Sequence, residues 1–331
     1  MLLSAHSLGT CWPPQALKTS PIVSSTTDPS TMMKPLFFMV LALLSSMSPA
    51  GAAGLVGAIG LSERVASDTV ATVPIIVKDG YIFIPGEVNG KVGKFMFDNG
   101  SPFKFFVNSH YVKVTVGPEI ARGRAGSGQP IIVHSATDIQ TITFGDNAYR
   151  NVSDVMAADF QFIETGIVPD YLGFIGSKLL TAFAFSIDYS QTQLAFSDAS
   201  KPTDILYGKS KPVALVAFEG NEGPLPYATF SLGGVELRAR FDTGSPGALQ
   251  LPLDLRTKLE KAGNLSCRVT MQDPQTTVCD VTGLKYGHTT FELDGLQYSE
   301  GHESKATFGA ALLRHYVTIW NLQKRTIEFR R

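Results

Sequence analysis

Two nearly identical six-residue segments of this sequence each place an aspartate beside a glycine and a serine. Residues 97–102 read FDNGSP and residues 241–246 read FDTGSP, so the two aspartates are Asp98 and Asp242. Two carboxylic acids that share one proton can act together, because the ionised one accepts a proton from water while the protonated one donates to a carbonyl oxygen or a leaving amine. If the fold brings the two segments together, the pair has the chemistry needed to hydrolyse an amide bond.

The similarity of these segments extends to the sequence on either side. Eight positions before each aspartate, a glycine ends a two-residue turn, Asn89-Gly90 or Gly233-Gly234, between two extended stretches, which is typical of a β-hairpin. Further along, residues 174–196 match residues 307–329 without a gap. We therefore predict an internal duplication in which each hairpin ends at an aspartate loop. The alternative is a duplicated β-domain whose aspartates only cap turns, since aspartate and glycine favour turns in any case.

The composition is that of a folded, mainly β protein of about two domains. The chain has 331 residues, 44% of them apolar, with 21 phenylalanines and 31 glycines. We expect two similar β-barrel lobes with a few short helices. The predicted boundaries are an upstream segment and signal peptide at 1–52, an N-terminal extension at 53–80, lobe 1 with the first aspartate loop at 81–196, a linker leading into lobe 2 at 197–224, and lobe 2 with the second aspartate loop at 225–331.

The N-terminal part of the sequence has the pattern of an export signal. Lys34 precedes an apolar run at 35–44, and small residues follow up to Ala52. This pattern predicts a cleaved signal peptide at about residues 32–52 and a periplasmic or secreted protein; the alternative is an N-terminal membrane anchor. Residues 55–74 could be a short pro-segment or a mobile N-terminus.

Charge and cysteine content exclude some classes of function. The net charge is −1 and no basic cluster occurs, so the sequence gives no reason to expect nucleic-acid binding. Cys267 and Cys279 form an even pair in an exported protein, and we predict that they form a disulfide worth about 3 kcal/mol. No metal site is expected, because neither cysteine nor histidine spacing matches known ligand patterns.

The two halves resemble aspartic peptidases of the retropepsin-like and pepsin-like class, and most closely exported bacterial proteins with two fused retropepsin-like lobes. The resemblance covers about residues 75–331 and rests on the loops at 98–101 and 242–245 and on the segments Phe174-Ile175-Gly176 and Thr307-Phe308-Gly309. It implies the acid-protease fold, with Asp98 and Asp242 as catalytic residues. It also implies an aspartic-type endopeptidase that is a monomer, needs no cofactor, has no stable membrane association after signal cleavage, and cuts peptides or unfolded proteins.

The resemblance assigns roles to the residues beside the aspartates. Gly100 and Gly244 allow tight loops, and Ser101 and Ser245 would donate hydrogen bonds to the carboxylates. Such bonds favour the charged form and lower the pKa values of the carboxyls, so we expect an acidic pH optimum.

Two residues depart from the pattern of the family. Thr243 should link the loops by crossing hydrogen bonds, but its counterpart is Asn99, and Thr307 replaces an apolar residue. Small displacements are expensive in catalysis. The sequence therefore leaves a second hypothesis open, that of a catalytically silent two-lobed peptide-binding protein of the same fold.

Members of this class cover the bound peptide with a hairpin, called the flap. The candidate in lobe 1 is residues 121–134, with Gly126, Ser127, Gly128 and Gln129 at its tip; the alternative is an ordinary flexible loop. The equivalent stretch of lobe 2, residues 266–281, would be held by the disulfide. Next to the first aspartate loop, Phe103, Phe105 and Phe106 could line a substrate pocket or belong to the core, and residues 160–172 could also reach the cleft.

Overall fold

The computed structural model describes residues 63–64, 70–125, 129–208, 211–222, 225–247, 249–269, 277–291, 298–300 and 306–331. The predicted signal peptide and the flap-tip residues Gly126, Ser127 and Gly128 lie outside these ranges. The described chain is mainly β, with a few short helices, as predicted.

The strands and helices of the first half all end before residue 200 among the described residues. The strands are β1 (Glu63–Arg64), β2 (Ala71–Pro74), β3 (Ile76–Lys78), β4 (Tyr81–Val88), β5 (Lys91–Phe97), β6 (Phe105–Asn108), β7 (Thr115–Arg124), β8 (Pro130–Thr137), β9 (Thr141–Phe144), β10 (Asn147–Arg150), β11 (Val155–Ala158), β12 (Tyr171–Ile175), β13 (Phe183–Asp188) and β14 (Gln193–Asp198). The helices are α1 (Gln161–Gly166) and α2 (Ser177–Leu180).

The second half repeats this plan in a shorter form. Its strands are β15 (Ala214–Ala217), β16 (Gly220–Glu222), β17 (Leu225–Leu232), β18 (Val235–Phe241), β19 (Leu249–Leu251), β20 (Leu265–Val269), β21 (Thr277–Val281), β22 (Leu284–Tyr286), β23 (Thr289–Thr290), β24 (Tyr298–Glu300), β25 (Ala306–Phe308), β26 (Val317–Asn321) and β27 (Thr326–Arg330). Its helices are α3 (Asp204–Tyr207), α4 (Leu253–Lys261) and α5 (Ala310–Leu313).

The two halves have the same arrangement of strands around their aspartate loops. One sheet runs in the order β4-β5-β12-β6-β11 at its centre, and the other runs β17-β18-β25-β19-β24. In each, a hairpin strand pairs in parallel with the strand that carries the apolar-glycine segment, β5 with β12 and β18 with β25. The similarity that the repeat predicts is therefore present in the strand topology.

A third sheet joins the two halves. Its order is β15-β27-β26-β13-β14-β2, so the terminal hairpin of each half meets its counterpart at the centre. The sequence repeat equates Ser186 with Ile319, and these two residues face each other across the β13–β26 pair. This is the arrangement expected if a local two-fold axis passes between them. Main-chain hydrogen bonds between β13 and β26 therefore connect the two halves.

The folded body begins earlier than the predicted start of lobe 1. Strand β2 pairs with β14 in the joining sheet, and β3 pairs with β4, although we expect residues 53–80 to be an extension. Removal of residues 55–74 as a pro-segment would delete β2. The linker region likewise contains α3 and the edge strand β15.

Lobe 2 contains the predicted disulfide. Cys267 on β20 and Cys279 on β21 are direct partners in an antiparallel pair and are bonded to each other. No helix among the described residues is long and apolar enough to span a membrane.

Two apolar clusters fill the described structure. The larger one runs through both halves and the joining sheet and includes Phe97, Phe241 and Trp320. The smaller one, which we call the lobe-1 cluster, lies only in the first half and contains Phe83, Phe106, Phe160, Tyr171 and Phe174 among others. No second cluster of this kind is found for lobe 2 within the described residues, and this difference bears on the site.

Candidate active site

Each aspartate follows the end of a buried hairpin strand. Asp98 follows β5 and Asp242 follows β18, and both strands are held in the middle of their sheets. The N–H of Asp98 donates to the carbonyl of Ile175 at 3.0 Å, and the N–H of Asp242 donates to the carbonyl of Phe308 at 2.9 Å. The apolar-glycine segments thus fix the start of both loops in the same way.

The glycines of those segments are required by close packing behind the loops. A Cβ on Gly176 would overlap the carbonyl oxygen of Phe103 and would lie 2.9 Å from Ser101 Oγ. A Cβ on Gly309 would likewise overlap the carbonyl of Ser245 and lie 2.9 Å from its Oγ. The repeated glycine therefore has a steric cause that is the same in both lobes.

The two carboxyl groups occupy one small buried space. Asp98 is 3% exposed and Asp242 is 2% exposed. A Cβ on Gly100 would lie 2.9 Å from Asp98 Oδ1 and 3.2 Å from Asp242 Oδ1. A single atom at this position would therefore contact both carboxyl groups, which means that the two groups lie close together. A Cβ on Gly244 would overlap the carboxyl of Asp98 in the opposite loop. Each loop therefore needs its glycine to admit the carboxyl groups.

Main-chain donors hold both carboxylates in the same orientation. The N–H of Gly100 donates to Asp98 Oδ1 at 2.7 Å, and the N–H of Gly244 donates to Asp242 Oδ1 at 2.8 Å. This symmetry gives the two acids matched positions on either side of the local two-fold axis.

Asn99 takes the structural place of a threonine. Its Oδ1 accepts a hydrogen bond from the N–H of Thr243 at 2.8 Å, and its Nδ2 donates to the carbonyl of Phe241 at 3.0 Å. In return, Thr243 Oγ1 accepts from the N–H of Asn99 at 3.0 Å and lies 3.2 Å from the carbonyl of Phe97. An amide side chain carries both a donor and an acceptor. It therefore completes the reciprocal link between the loops that we expect from this position.

Replacing Asn99 tests this link directly. Asn99→Ala leaves the buried N–H of Thr243 without its acceptor and the buried carbonyl of Phe241 without its donor, so we expect a loss of about 2 kcal/mol or more in the free energy of unfolding. Asn99→Thr restores one donor and one acceptor and should stay within about 1 kcal/mol of the native protein. Urea unfolding measures both. Equal stability of the two variants would show that the reciprocal bonds contribute little.

Burial and charge raise the pKa of Asp98. Removal from water has the largest effect, and the negative charge of Asp242 adds to it. The N–H groups of Gly100 and Ser101 act in the opposite direction without cancelling it. Asp98 is accordingly harder to ionise than an aspartate exposed to water.

The expected role of the loop serines is not found. Ser101 Oγ is buried without a hydrogen-bond partner in the described part of the chain, and Ser245 Oγ accepts a bond from Gln250 Nε2 at 3.4 Å. The prediction that Ser101 donates to a carboxylate is therefore wrong, and with it the inference that such bonds lower the pKa of Asp98. The serines instead use their carbonyls, which accept hydrogen bonds from the N–H groups of Ser177 and Ala310 at 2.8 Å.

The phenylalanines after the first loop have different positions. Phe105 lies in the larger core cluster, while Phe106 is buried in the lobe-1 cluster. Phe103 is partly buried and packs against Phe106 with ring centroids 5.1 Å apart. Residues from the 160–172 segment join the same cluster through Phe160 and Tyr171.

Strands β7 and β8 form the predicted lobe-1 hairpin. Arg124 pairs with Pro130, and the N–H of Ala125 donates to the carbonyl of Gln129 at 2.9 Å. Ala125, Ile131 and Val133 are buried in the lobe-1 cluster. The hairpin therefore packs on the lobe-1 cluster, although its tip lies outside the described residues.

Sequence reasoning included Tyr171 in the 160–172 segment but did not single it out. Its side chain is fully buried, its hydroxyl has no hydrogen-bond partner among the described residues, and its pKa is raised by burial and by the charge of Asp98. No motif in the sequence marks this position. Among the described residues, no group of three or more acidic, histidine or cysteine side chains could hold a metal ion.

Comparison with known proteins supports the fold but does not extend to a family or an activity. No protein-family model matches the sequence, and no curated protein sequence is similar to it. Among solved structures, the chain is similar to basic 7S globulin from soybean, with a TM-score of 0.52 and 10% identity over 80% of this chain and 95% of that chain. That globulin has the two-lobed pepsin-like fold and is catalytically inactive. The predicted acid-protease fold is therefore confirmed at the level of architecture.

Proposed function

We propose that this protein is an aspartic-type endopeptidase. The proposal is carried by one observation, the reciprocal link between the two loops: Asn99 and Thr243 bond across the local two-fold axis and hold two buried aspartates in matched positions. A fold that needed its aspartates only as turn caps would gain nothing from burying two acids together, because buried like charges are costly.

The chemistry follows from one proton shared by two carboxyls. Asp98, whose pKa is raised, would keep the proton and polarise the peptide carbonyl, and Asp242 would accept a proton from the attacking water. The tetrahedral intermediate then collapses as the leaving amine is protonated. The pair titrates as a unit, so activity should fall once the pH is high enough to remove the shared proton.

The substrate that we propose is a peptide or an unfolded protein. A peptide bond can reach two buried carboxyls only in an extended segment that lies between the lobes, which a folded domain seldom offers. We also propose that the protein is exported and acts as a monomer, since each chain contains both aspartate loops. The disulfide between Cys267 and Cys279 supports an oxidising compartment.

A second candidate function is peptide binding without catalysis. The similar soybean globulin keeps the two-lobed fold and is inactive, so the fold alone does not imply hydrolysis.

Incubation with a reduced and alkylated protein at pH 3–7 separates the two functions. The native full chain should produce fragments that mass spectrometry detects, and Asp242→Asn should produce none while keeping its circular dichroism spectrum. Binding of the unfolded protein by the native chain with no cleavage at any pH would overturn the proposal in favour of the silent binding protein.

A further inference from the structure

The turn between β3 and β4 contacts the second aspartate loop. A Cβ on Gly80 in this turn would lie 2.6 Å from Pro246 Cβ and 3.0 Å from both its Cα and its carbonyl oxygen. Pro246 directly follows Ser245 and ends the FDTGSP segment that contains Asp242. The chain that enters the first half therefore touches the aspartate loop of the second half, so closely that no side chain fits between them.

The β3–β4 turn is held in place by the first half of the chain. Asp79 and Gly80 have φ values of 51° and 83°, as expected for a two-residue turn, and β3 pairs with β4 on either side of them. Tyr81, which follows the turn, is 1% exposed and belongs to the lobe-1 cluster. Before the turn, the N–H of Ile75 donates to the carbonyl of Thr192 at 2.9 Å. Both ends of the β3–β4 turn are therefore anchored.

The end of the second aspartate loop is anchored in its own half by the start of α5. The N–H of Ala310 donates to the carbonyl of Ser245 at 2.8 Å, and the N–H of Ala311 donates to the carbonyl of Gly247 at 3.2 Å. Pro246 lies between these two anchored residues and is the residue that the β3–β4 turn contacts. The loop end is therefore fixed by groups from both halves of the chain.

We infer that Gly80 is a positioning residue for the reaction, because the β3–β4 turn supports the loop that carries Asp242 and so keeps it in register with Asp98. This inference rests on the proposed endopeptidase function. The two carboxyl groups must share one proton, so a small shift of one aspartate loop against the other is expensive in catalysis. Strands β2 and β3, which lie before the predicted start of lobe 1, are then part of the active-site framework.

Gly90 provides a matched control for Gly80. It is the second residue of the two-residue turn between β4 and β5, and its φ of 81° nearly equals the 83° of Gly80. A Cβ on Gly90 would meet no atom within 4 Å. An alanine at either position carries the same left-handed strain, but only an alanine at position 80 overlaps Pro246. The difference between the two variants therefore measures the contact with the aspartate loop.

The test is peptide cleavage by the native full chain, Gly80→Ala and Gly90→Ala, each shown to be folded by circular dichroism. Gly80→Ala should lower kcat by roughly tenfold or more and leave KM within about twofold, because the displaced carboxyl affects the reaction more than peptide binding. Gly90→Ala should keep kcat within about twofold of the native value. A merely structural role of Gly80 would lower the stability of its variant without this separate effect on kcat.

If Gly80→Ala does not fold, the contact is changed from the side of Pro246 instead. Pro246→Ala keeps the Cβ that lies nearest to the Gly80 position, and Pro246→Gly removes it. The inference then predicts a lower kcat for Pro246→Gly than for Pro246→Ala, and equal kcat values would contradict it.

The remaining outcomes separate this inference from the proposed function. If kcat falls no further in Gly80→Ala than in Gly90→Ala, the β3–β4 turn does not position Asp242, and the endopeptidase stands. If even the native chain cuts no peptide, NMR titration of the carboxyl groups of Asp98 and Asp242 decides. An altered titration of the pair in Gly80→Ala but not in Gly90→Ala would support the positioning role in a silent binding protein, and an unchanged titration would overturn it.

Discussion

Replacing Asp98 with asparagine is expected to abolish peptide hydrolysis and to make the folded protein more stable at neutral pH. The activity is lost because asparagine can neither hold nor transfer the shared proton, and we expect a decrease in kcat of roughly 10³-fold or more. The amide keeps an oxygen for the N–H of Gly100, which now donates to Asp98 Oδ1 at 2.7 Å. The loop geometry should therefore survive.

The gain in stability follows from the direction in which the pKa of Asp98 is moved. Burial, and then the charge of Asp242, raise this pKa in the folded state above its unfolded value. The stability that the group contributes is therefore fully present below the unfolded pKa and is lost as the pH rises through the folded pKa. Each tenfold difference between the two acid dissociation constants corresponds to about 1.4 kcal/mol. Asparagine has no charge to bury, so Asp98→Asn escapes this loss.

Thermal unfolding at pH 4 and at pH 7 tests the prediction. The difference in Tm between Asp98→Asn and the native protein should be larger at pH 7 than at pH 4. Asp146→Asn removes an exposed carboxylate in the turn between β9 and β10, and it should give nearly the same small difference at both pH values. A stabilisation of Asp98→Asn that does not depend on pH, or retention of a tenth of the activity, would contradict the prediction.

The repeat in the sequence predicted the architecture because it records a local two-fold axis. Hairpin turns, aspartate loops and apolar-glycine segments are each determined by residues close together in the sequence. The strand order of both halves agrees with the architecture that these features predict. The Cys267–Cys279 disulfide was predictable on other grounds, because these cysteines form an even pair in a sequence with an export signal; the structure places them on neighbouring strands.

Features that depend on distant parts of the chain could not be predicted in this way. Strand β2 has only four residues and gains its place by pairing with β14, more than a hundred positions away. The hydroxyl of Ser101 was expected to face a carboxylate, but its direction depends on how the loop packs against Gly176. The residue type of Asn99 alone does not tell whether it can replace a threonine in the link between the loops. That depends on the positions of Thr243 and Phe241 in the other lobe.

Replacing Gly244 with alanine is expected to damage the site more than the same change at Gly100. A Cβ on Gly244 would overlap the carboxyl of Asp98, with Oδ2 only 2.8 Å away, whereas a Cβ on Gly100 would lie at 2.9 Å or more from both aspartates. Neither glycine has a positive φ, so the effect comes from space alone. We expect Gly244→Ala to lose about 1–3 kcal/mol of stability and, because small displacements are costly, roughly 10²-fold or more in kcat.

Gly166 offers a matched glycine-to-alanine control. It is the last residue of α1, and a Cβ there would meet no atom within 4 Å, so Gly166→Ala should be neutral or stabilising by up to about 1 kcal/mol. Urea unfolding and peptide cleavage for Gly244→Ala, Gly100→Ala and Gly166→Ala give the comparison. If Gly244→Ala unfolds like the native protein and cuts peptides as fast, the two loops cannot be packed as closely as the overlap requires. If it folds stably but binds peptides without cutting them, the displaced carboxyl of Asp98 is the cause, and catalysis depends on the contact between Asp98 and Gly244 of the opposite loop.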